Sequence, residues 1–96
     1  MVVKTTRFDA AELLDTPEAV EVFLEDAFEE GDPAYITHAL GTVARAKGMT
    51  KLAEETGLSR QALYKALSAE GHPEFGTVLK VANALGFRLT PERIPA

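Results

Sequence analysis

Residues 49–67 read MTKLAEETGLSRQALYKAL, and the spacing within them is the strongest indication of the fold. The small residue Ala53 stands four positions before Gly57, and the apolar Leu63 stands six positions after it. Two short helices that cross at a steep angle need a small side chain at the crossing and favour glycine in the turn. Ser59 can then cap the second helix by accepting a backbone N–H from its first turn. The spacing predicts a helix-turn-helix, with an ordinary helical hairpin as the alternative.

Further helix signals lie on both sides of this motif. Thr16 and Asp32 are each followed by proline, which is typical of a capped helix start. Apolar residues then recur at helical spacing, and each run stops at a glycine. The expected helices cover about residues 17–30, 33–47, 49–56, 59–68 and 75–85, followed by Gly31, Gly48, Gly57, a loop, and Gly86.

The remaining segments carry weaker signals. Ala10 to Leu14 is a brief helical candidate, and residues 87–90 alternate apolar and polar side chains as a short strand does. This tail either pairs with a second copy of itself or folds on its own subunit. Gly76 is expected to allow a neighbouring helix to pack closely, rather than a DNA phosphate to approach. The predicted class is all-α, with about five helices.

Charge divides the chain into two parts. Residues 1–32 hold two basic and ten acidic side chains, whereas residues 33–96 hold eight basic and five acidic ones, giving net charges of −8 and +3. We therefore expect an acidic N-terminal arm and helix over 1–32, packed on a helix-turn-helix domain over 33–96. The pI of the whole chain is near 4.9, which by itself argues against nucleic-acid binding. Binding depends on where the charge lies, however, and residues 33–96 are basic overall.

The outward face of the second motif helix carries side chains that can read DNA, because Leu63 turns inward. Arg60 and Gln61 lie in its first turn, where arginine can bond guanine and glutamine can bond adenine. Tyr64 and Lys65 suit thymine-methyl or phosphate contacts one turn later, and the free N–H groups opening the preceding helix suit a phosphate. A solvated helix face is the alternative. The predicted DNA contacts are Thr50, Lys51, Ser59, Arg60, Gln61, Tyr64, Lys65 and Ser68.

Composition narrows the class of protein. The chain of 96 residues is 46% hydrophobic and 26% charged, which is typical of one globular domain. It has no cysteine, no long apolar run and no basic-then-apolar leader, so a cytoplasmic protein without a membrane span is expected. His38 and His72 stand apart from any metal-ligand or nucleophile pattern. We therefore expect neither an enzyme nor a cofactor or metal.

From about residue 6 to residue 89 the chain resembles the HigA-type addiction-module antidotes, a branch of the lambda-repressor-like helix-turn-helix superfamily. The segments that carry the resemblance are LDTPE, GDPAYITHALGTVARAKGMT, TGLSRQALYKALS and PEFGTVLKVANALG. The resemblance implies an antitoxin that binds a small basic RelE/ParE-like toxin and, as a homodimer, represses its own operon by binding double-stranded operator DNA. A stand-alone phage-type repressor without a toxin partner, or an interaction module that no longer binds DNA, is the alternative.

The resemblance supplies no motif for the toxin contacts, so charge is used to place them. One polar side of the first long helix is acidic and complements a basic partner. The predicted toxin contacts are Glu21, Glu25, Glu29 and Glu30.

Overall fold

The computed structural model describes residues 14–95, and within them it contains five α-helices and no strand. These are α1 (Pro17–Glu30), α2 (Pro33–Lys47), α3 (Met49–Thr56), α4 (Arg60–Ala66) and α5 (Phe75–Ala84). The predicted all-α class is confirmed, and each helix begins and ends within two residues of its expected bounds. The short helix expected from Ala10 to Leu14 lies outside the described residues, apart from Leu14 itself.

The start of α1 follows the prediction, but the start of α2 does so only in part. The Thr16 hydroxyl accepts the backbone N–H of Ala19 at 3.1 Å. The Asp32 side chain makes no such bond at α2, where only its backbone carbonyl accepts, from Ile36 N–H at 2.9 Å. Its exposed carboxylate still lies at the positive end of the helix dipole, so Asp32 favours the helix start by charge rather than by capping.

Helix α2 is the central element of the fold. It packs on α1, α3 and α5, and its residues from Ala39 to Ala44 are all buried. The largest fully buried side chains come from four helices and include Leu40, Leu52, Leu63 and Val81. Each such side chain contributes about 1.5–3 kcal/mol by leaving water. One shared core therefore packs the two helices of the motif, α3 and α4, against α2 and α5.

Gly41 allows α2 to lie directly against the end of α4. A Cβ atom at this position would lie 2.8 Å from the backbone carbonyl oxygen of Leu67. Such a contact is too short to be tolerated without a backbone shift. Glycine here therefore sets the distance between the central helix and the second motif helix.

Helix α1 covers one side of α2 through Leu24 and Ala27, which are buried in the common core. Its other side is exposed and mainly acidic. The assignment of residues 1–32 as an arm and helix separate from the main domain stays a prediction. No helix among residues 14–95 is both long and apolar enough to cross a membrane.

The C-terminal segment does not form the expected strand. Residues 87–90 carry no strand assignment, because a strand needs a ladder partner and the described chain offers none. Instead the Phe87 N–H donates to the Ala82 carbonyl at 2.8 Å, and Phe87 and Leu89 are half-buried. The segment thus folds along its own subunit, and pairing with a second copy stays a prediction.

The close packing expected at Gly76, near the start of α5, was wrong. A Cβ atom at Gly76 would meet no atom within 4 Å, so no neighbouring helix packs closely there. Phe75 heads the apolar face of α5, yet it is 71% exposed. It is the first residue of the helix and lies beyond the part that packs on the core.

Candidate nucleic-acid interface

The turn between α3 and α4 has the geometry that the motif spacing requires. Gly57 adopts a left-handed backbone with φ of 78°, and its N–H donates to the Ala53 carbonyl at 3.0 Å. A residue with a Cβ is strained in this conformation. The predicted need for glycine at this turn is therefore confirmed.

Thr56 stabilises the same turn through its hydroxyl, a role that the motif spacing did not predict. Its hydroxyl donates to the Leu52 carbonyl at 2.9 Å and accepts the Leu58 N–H at 3.2 Å. The two bonds link the last turn of α3 to the segment that enters α4. The sequence signal that could have predicted this role is a threonine directly before the turn glycine.

The Ser59 hydroxyl caps α4 as predicted, accepting the Ala62 N–H at 3.0 Å. The opposite side of α4 is anchored by Leu63, which is fully buried, and is followed by the buried Leu67. Leu52 on α3 is also fully buried. These contacts fix the rotation of α4 about its own axis, and hence which side chains face solvent.

All eight predicted DNA contacts are exposed. Arg60, Gln61, Tyr64 and Lys65 lie on α4, and Ser68 lies just beyond its end. Ser59 precedes that helix as its cap, while Thr50 and Lys51 lie in the first turn of α3. The set combines three cations with amide, phenol and hydroxyl groups, which are the side chains that contact base edges and phosphates.

Tyr64 and Arg60 contact each other on the surface of α4. The Arg60 guanidinium carbon lies 5.8 Å from the centre of the Tyr64 ring, within the range of a cation–π contact. Tyr64 is 48% exposed. The two side chains therefore pack on each other near the start of α4 while both stay exposed.

Ser68 is the weakest of the eight predicted contacts. Its hydroxyl donates to the Lys65 carbonyl at 2.9 Å. A phosphate accepts hydrogen bonds but donates none, so Ser68 would have to break this bond to contact one. The Ser59 hydroxyl accepts in its cap bond, which leaves its own proton free to donate.

The start of α3 is suited to an anion. Gly48 precedes it with φ of 114°, and no side chain caps the helix. The N–H groups of the first turn have no acceptor within the helix. Thr50 and Lys51 add a hydroxyl and a cation at this end, where the helix dipole is positive.

Lys47 joins three helices behind the motif, a role that no sequence pattern predicted. Its ammonium donates to the Ala84 carbonyl at the end of α5 and lies 3.0 Å from a Glu55 carboxylate oxygen on α3. A cation is favourable at a helix C-terminus because the dipole is negative there. Lys47 thus ties the first motif helix to α5.

The four predicted toxin contacts are all exposed on α1, but they do not share one surface depression. Glu21 and Glu25 line a cleft against residues 87–90. Glu29 and Glu30 line a shallow depression with Asp26 and Tyr35. Elsewhere, His38 and His72 are exposed, and residues 14–95 contain no group of three or more metal-ligating side chains.

Comparisons with known proteins identify the family. The chain is 43% identical over 81 residues to an uncharacterised protein of Haemophilus influenzae, strain Rd, with 84% of each chain covered. No solved structure matches significantly. A family model described as "Probable addiction module antidote protein" matches residues 4–93. This chain therefore belongs to the family of probable addiction module antidote proteins.

Proposed function

We propose that this chain is the antitoxin of a type II toxin–antitoxin module and represses its own operon through the α3–α4 helix-turn-helix. Within this proposal it belongs to the HigA-type branch of the lambda-repressor-like superfamily. The family of addiction module antidotes implies a toxin partner of some kind. The observation that carries the DNA-binding part is the exposed polar face of α4, held outward by the fully buried Leu63.

Each exposed side chain has a role in this proposal. Arg60 and Gln61 enter the major groove with the first turn of α4 and contact base edges. Tyr64 and Lys65 contact a thymine methyl group or the phosphates, with Ser59 and Ser68 beside them. Thr50 and Lys51 bind a phosphate at the start of α3. As a homodimer, the protein presents two copies of α4 about 34–36 Å apart to successive turns of a palindromic operator.

The toxin partner in this proposal is a small basic RelE/ParE-like protein bound by the acidic side of α1. Glu21, Glu25, Glu29 and Glu30 are exposed there, and no shielding cation pairs with any of them within residues 14–95. Unpaired carboxylates attract a basic partner and speed its association.

Co-expression with the neighbouring small open reading frame tests the antitoxin role. A tag on this chain is expected to recover a stoichiometric basic partner, and the pair is expected to restore growth that the partner alone arrests. Recovery of this chain alone, with binding to its own upstream DNA intact, would contradict the antitoxin role and leave a stand-alone repressor.

Fluorescence anisotropy with the DNA upstream of its own coding sequence tests operator binding separately. We expect affinity to fall steeply with salt, because Lys51 and Lys65 displace counterions from phosphates in each subunit. Lys65→Ala should reduce the slope of log K against log salt by about 2 for a dimer. Equal affinity for unrelated DNA of the same length would contradict sequence-specific repression.

A further inference from the structure

Two adjoining depressions, lined largely by apolar side chains, lie on the face that α1 and α5 leave open. One part lies between the end of α1, the start of α2 and the start of α5, and its apolar lining includes Phe28, Ile36, Phe75 and Val78. The other part lies between α1 and residues 87–90. Both parts are lined by Phe28 and by Leu89. We call their union the Phe75 groove.

Exposed apolar side chains lie next to one another in the groove. Phe75 is 71% exposed and Phe28 is 36% exposed, and both line the same part of the groove. Ile36, Val78 and Leu89 are half-buried around them. Contiguous apolar surface of this kind marks interaction sites, and aromatic side chains commonly supply most of the binding energy there.

Acidic side chains border this apolar surface. Glu21 and Glu25 line one part of the groove, and Asp32 lines the other. Arg88 is the single lysine or arginine among the described lining residues. An apolar centre with a charged rim is the usual anatomy of a protein interface, and this rim favours a cationic partner.

We propose that the toxin docks in the Phe75 groove and presents to it an apolar segment flanked by lysine or arginine. This inference rests on the proposed function, because it takes the partner to be the toxin. The groove includes only two of the four glutamates that charge alone selected. Phe75 and Phe28 are the main anchors, and Glu21, Glu25 and Asp32 select the flanking cations.

A second copy of this chain fits the groove less well. In a two-fold symmetric contact the same patch faces itself. Six carboxylates would then meet two guanidinium groups across the interface, which is unfavourable. None of the eight predicted DNA contacts is among the described residues that line the groove, so toxin and operator can be bound together.

Phe75→Ser tests the groove directly, because Phe75 is largely exposed and its loss removes little from the core. We expect its affinity for the purified product of the adjacent gene to fall about tenfold or more by isothermal titration calorimetry. Operator affinity should stay within about twofold. Val22→Ser is the matched control: Val22 is 56% exposed on α1 but does not line the groove, so its affinity should change less than about twofold.

Phe75→Leu separates loss of the apolar contact from loss of folding. It keeps an apolar side chain and should retain most of the affinity that Phe75→Ser loses. If Phe75→Ser binds the partner as tightly as the wild type, the groove is not the docking site, although the antitoxin role stands. If the wild type itself binds nothing encoded beside it, the proposed function and this inference both fail. If Phe75→Ser instead converts a dimer of this chain to a monomer in sedimentation, the groove is a contact between copies and the inference is wrong.

Discussion

The α3–α4 region and the Phe75 groove differ in how their side chains are fixed. In the α3–α4 region, Gly57, Thr56 and Ser59 make contacts within a few residues of themselves. The groove instead depends on segments far apart in the chain, because Phe28, Phe75 and Leu89 come from three different elements. The first region has a polar outer face above a buried core, whereas the second leaves aromatic rings in solvent. A preorganised polar face suits DNA recognition, and an exposed apolar groove suits a protein partner.

The largest expected effect comes from the core that both regions share. Leu63→Ala should lower the free energy of unfolding by about 2–5 kcal/mol, because Leu63 is fully buried and its loss leaves a cavity. Urea denaturation followed by circular dichroism measures this change. Gln61→Ala, exposed on the same helix, should change it by less than about 0.5 kcal/mol. A small effect of Leu63→Ala would mean that the motif helix is not anchored as described.

Arg60→Ala should affect the proposed DNA-binding face of α4 and leave the groove unchanged. We expect operator binding to weaken by about 1–3 kcal/mol for each half-site, because a bidentate contact to guanine is lost. Toxin affinity measured by calorimetry should stay the same. Lys80→Ala removes an exposed cation on α5, away from the motif, and serves as the control. Equal losses in both variants would indicate a general charge effect rather than base recognition.

Replacing Glu21, Glu25 and Glu29 by lysine should instead weaken toxin binding and leave operator binding unchanged. Exposed rim charges contribute about 0.5–1 kcal/mol each, so toxin binding should weaken by about 1.5–3 kcal/mol, mainly through slower association. Stopped-flow kinetics at low and high salt measures this. If the Phe75 groove is the docking site, Glu21 and Glu25 should account for most of the loss. Unchanged toxin binding would remove the acidic face of α1 from the interface.

Thr56→Val should have the smallest effect of these variants, and it measures how much the Thr56 hydroxyl stabilises the turn. Removing the hydroxyl leaves the Leu58 N–H without its acceptor, which should lower the free energy of unfolding by about 1–2 kcal/mol. Thr50→Val, an exposed threonine in the same helix, is the control for stability. Chemical denaturation distinguishes the two variants, and equal stability of both would show that the Thr56 bonds are not needed.

The features predicted from the sequence are those that neighbouring residues determine. The caps at Thr16 and Ser59, the glycine turn at Gly57 and the buried position of Leu63 each follow from local spacing or conformational preference. The exposed face of α4 could be predicted from these features, because the side of a helix that is buried determines which side chains face solvent.

The features that were missed or wrong depend on tertiary packing. Phe75 continues the apolar spacing of α5 but extends past the core, and no local rule shows where a core ends. Residues 87–90 alternate like a strand, yet a ladder needs a partner that the described chain lacks. Lys47 acts through Glu55 and Ala84, and the latter lies 37 positions away in the sequence.

The contacts that Lys47 makes with Glu55 and Ala84 make the packing of α3 on α5 sensitive to ionic strength. The ion pair between Lys47 and Glu55 is partly exposed, so dissolved ions screen it and loosen the attachment of α3 to α5. If the chain binds its operator as proposed, raising the salt concentration should weaken that binding in two ways, by competing at the phosphates and by loosening α3 from α5. Lys47→Met keeps the aliphatic stem but removes the charge, and comparing its salt dependence with that of the wild type separates the two contributions.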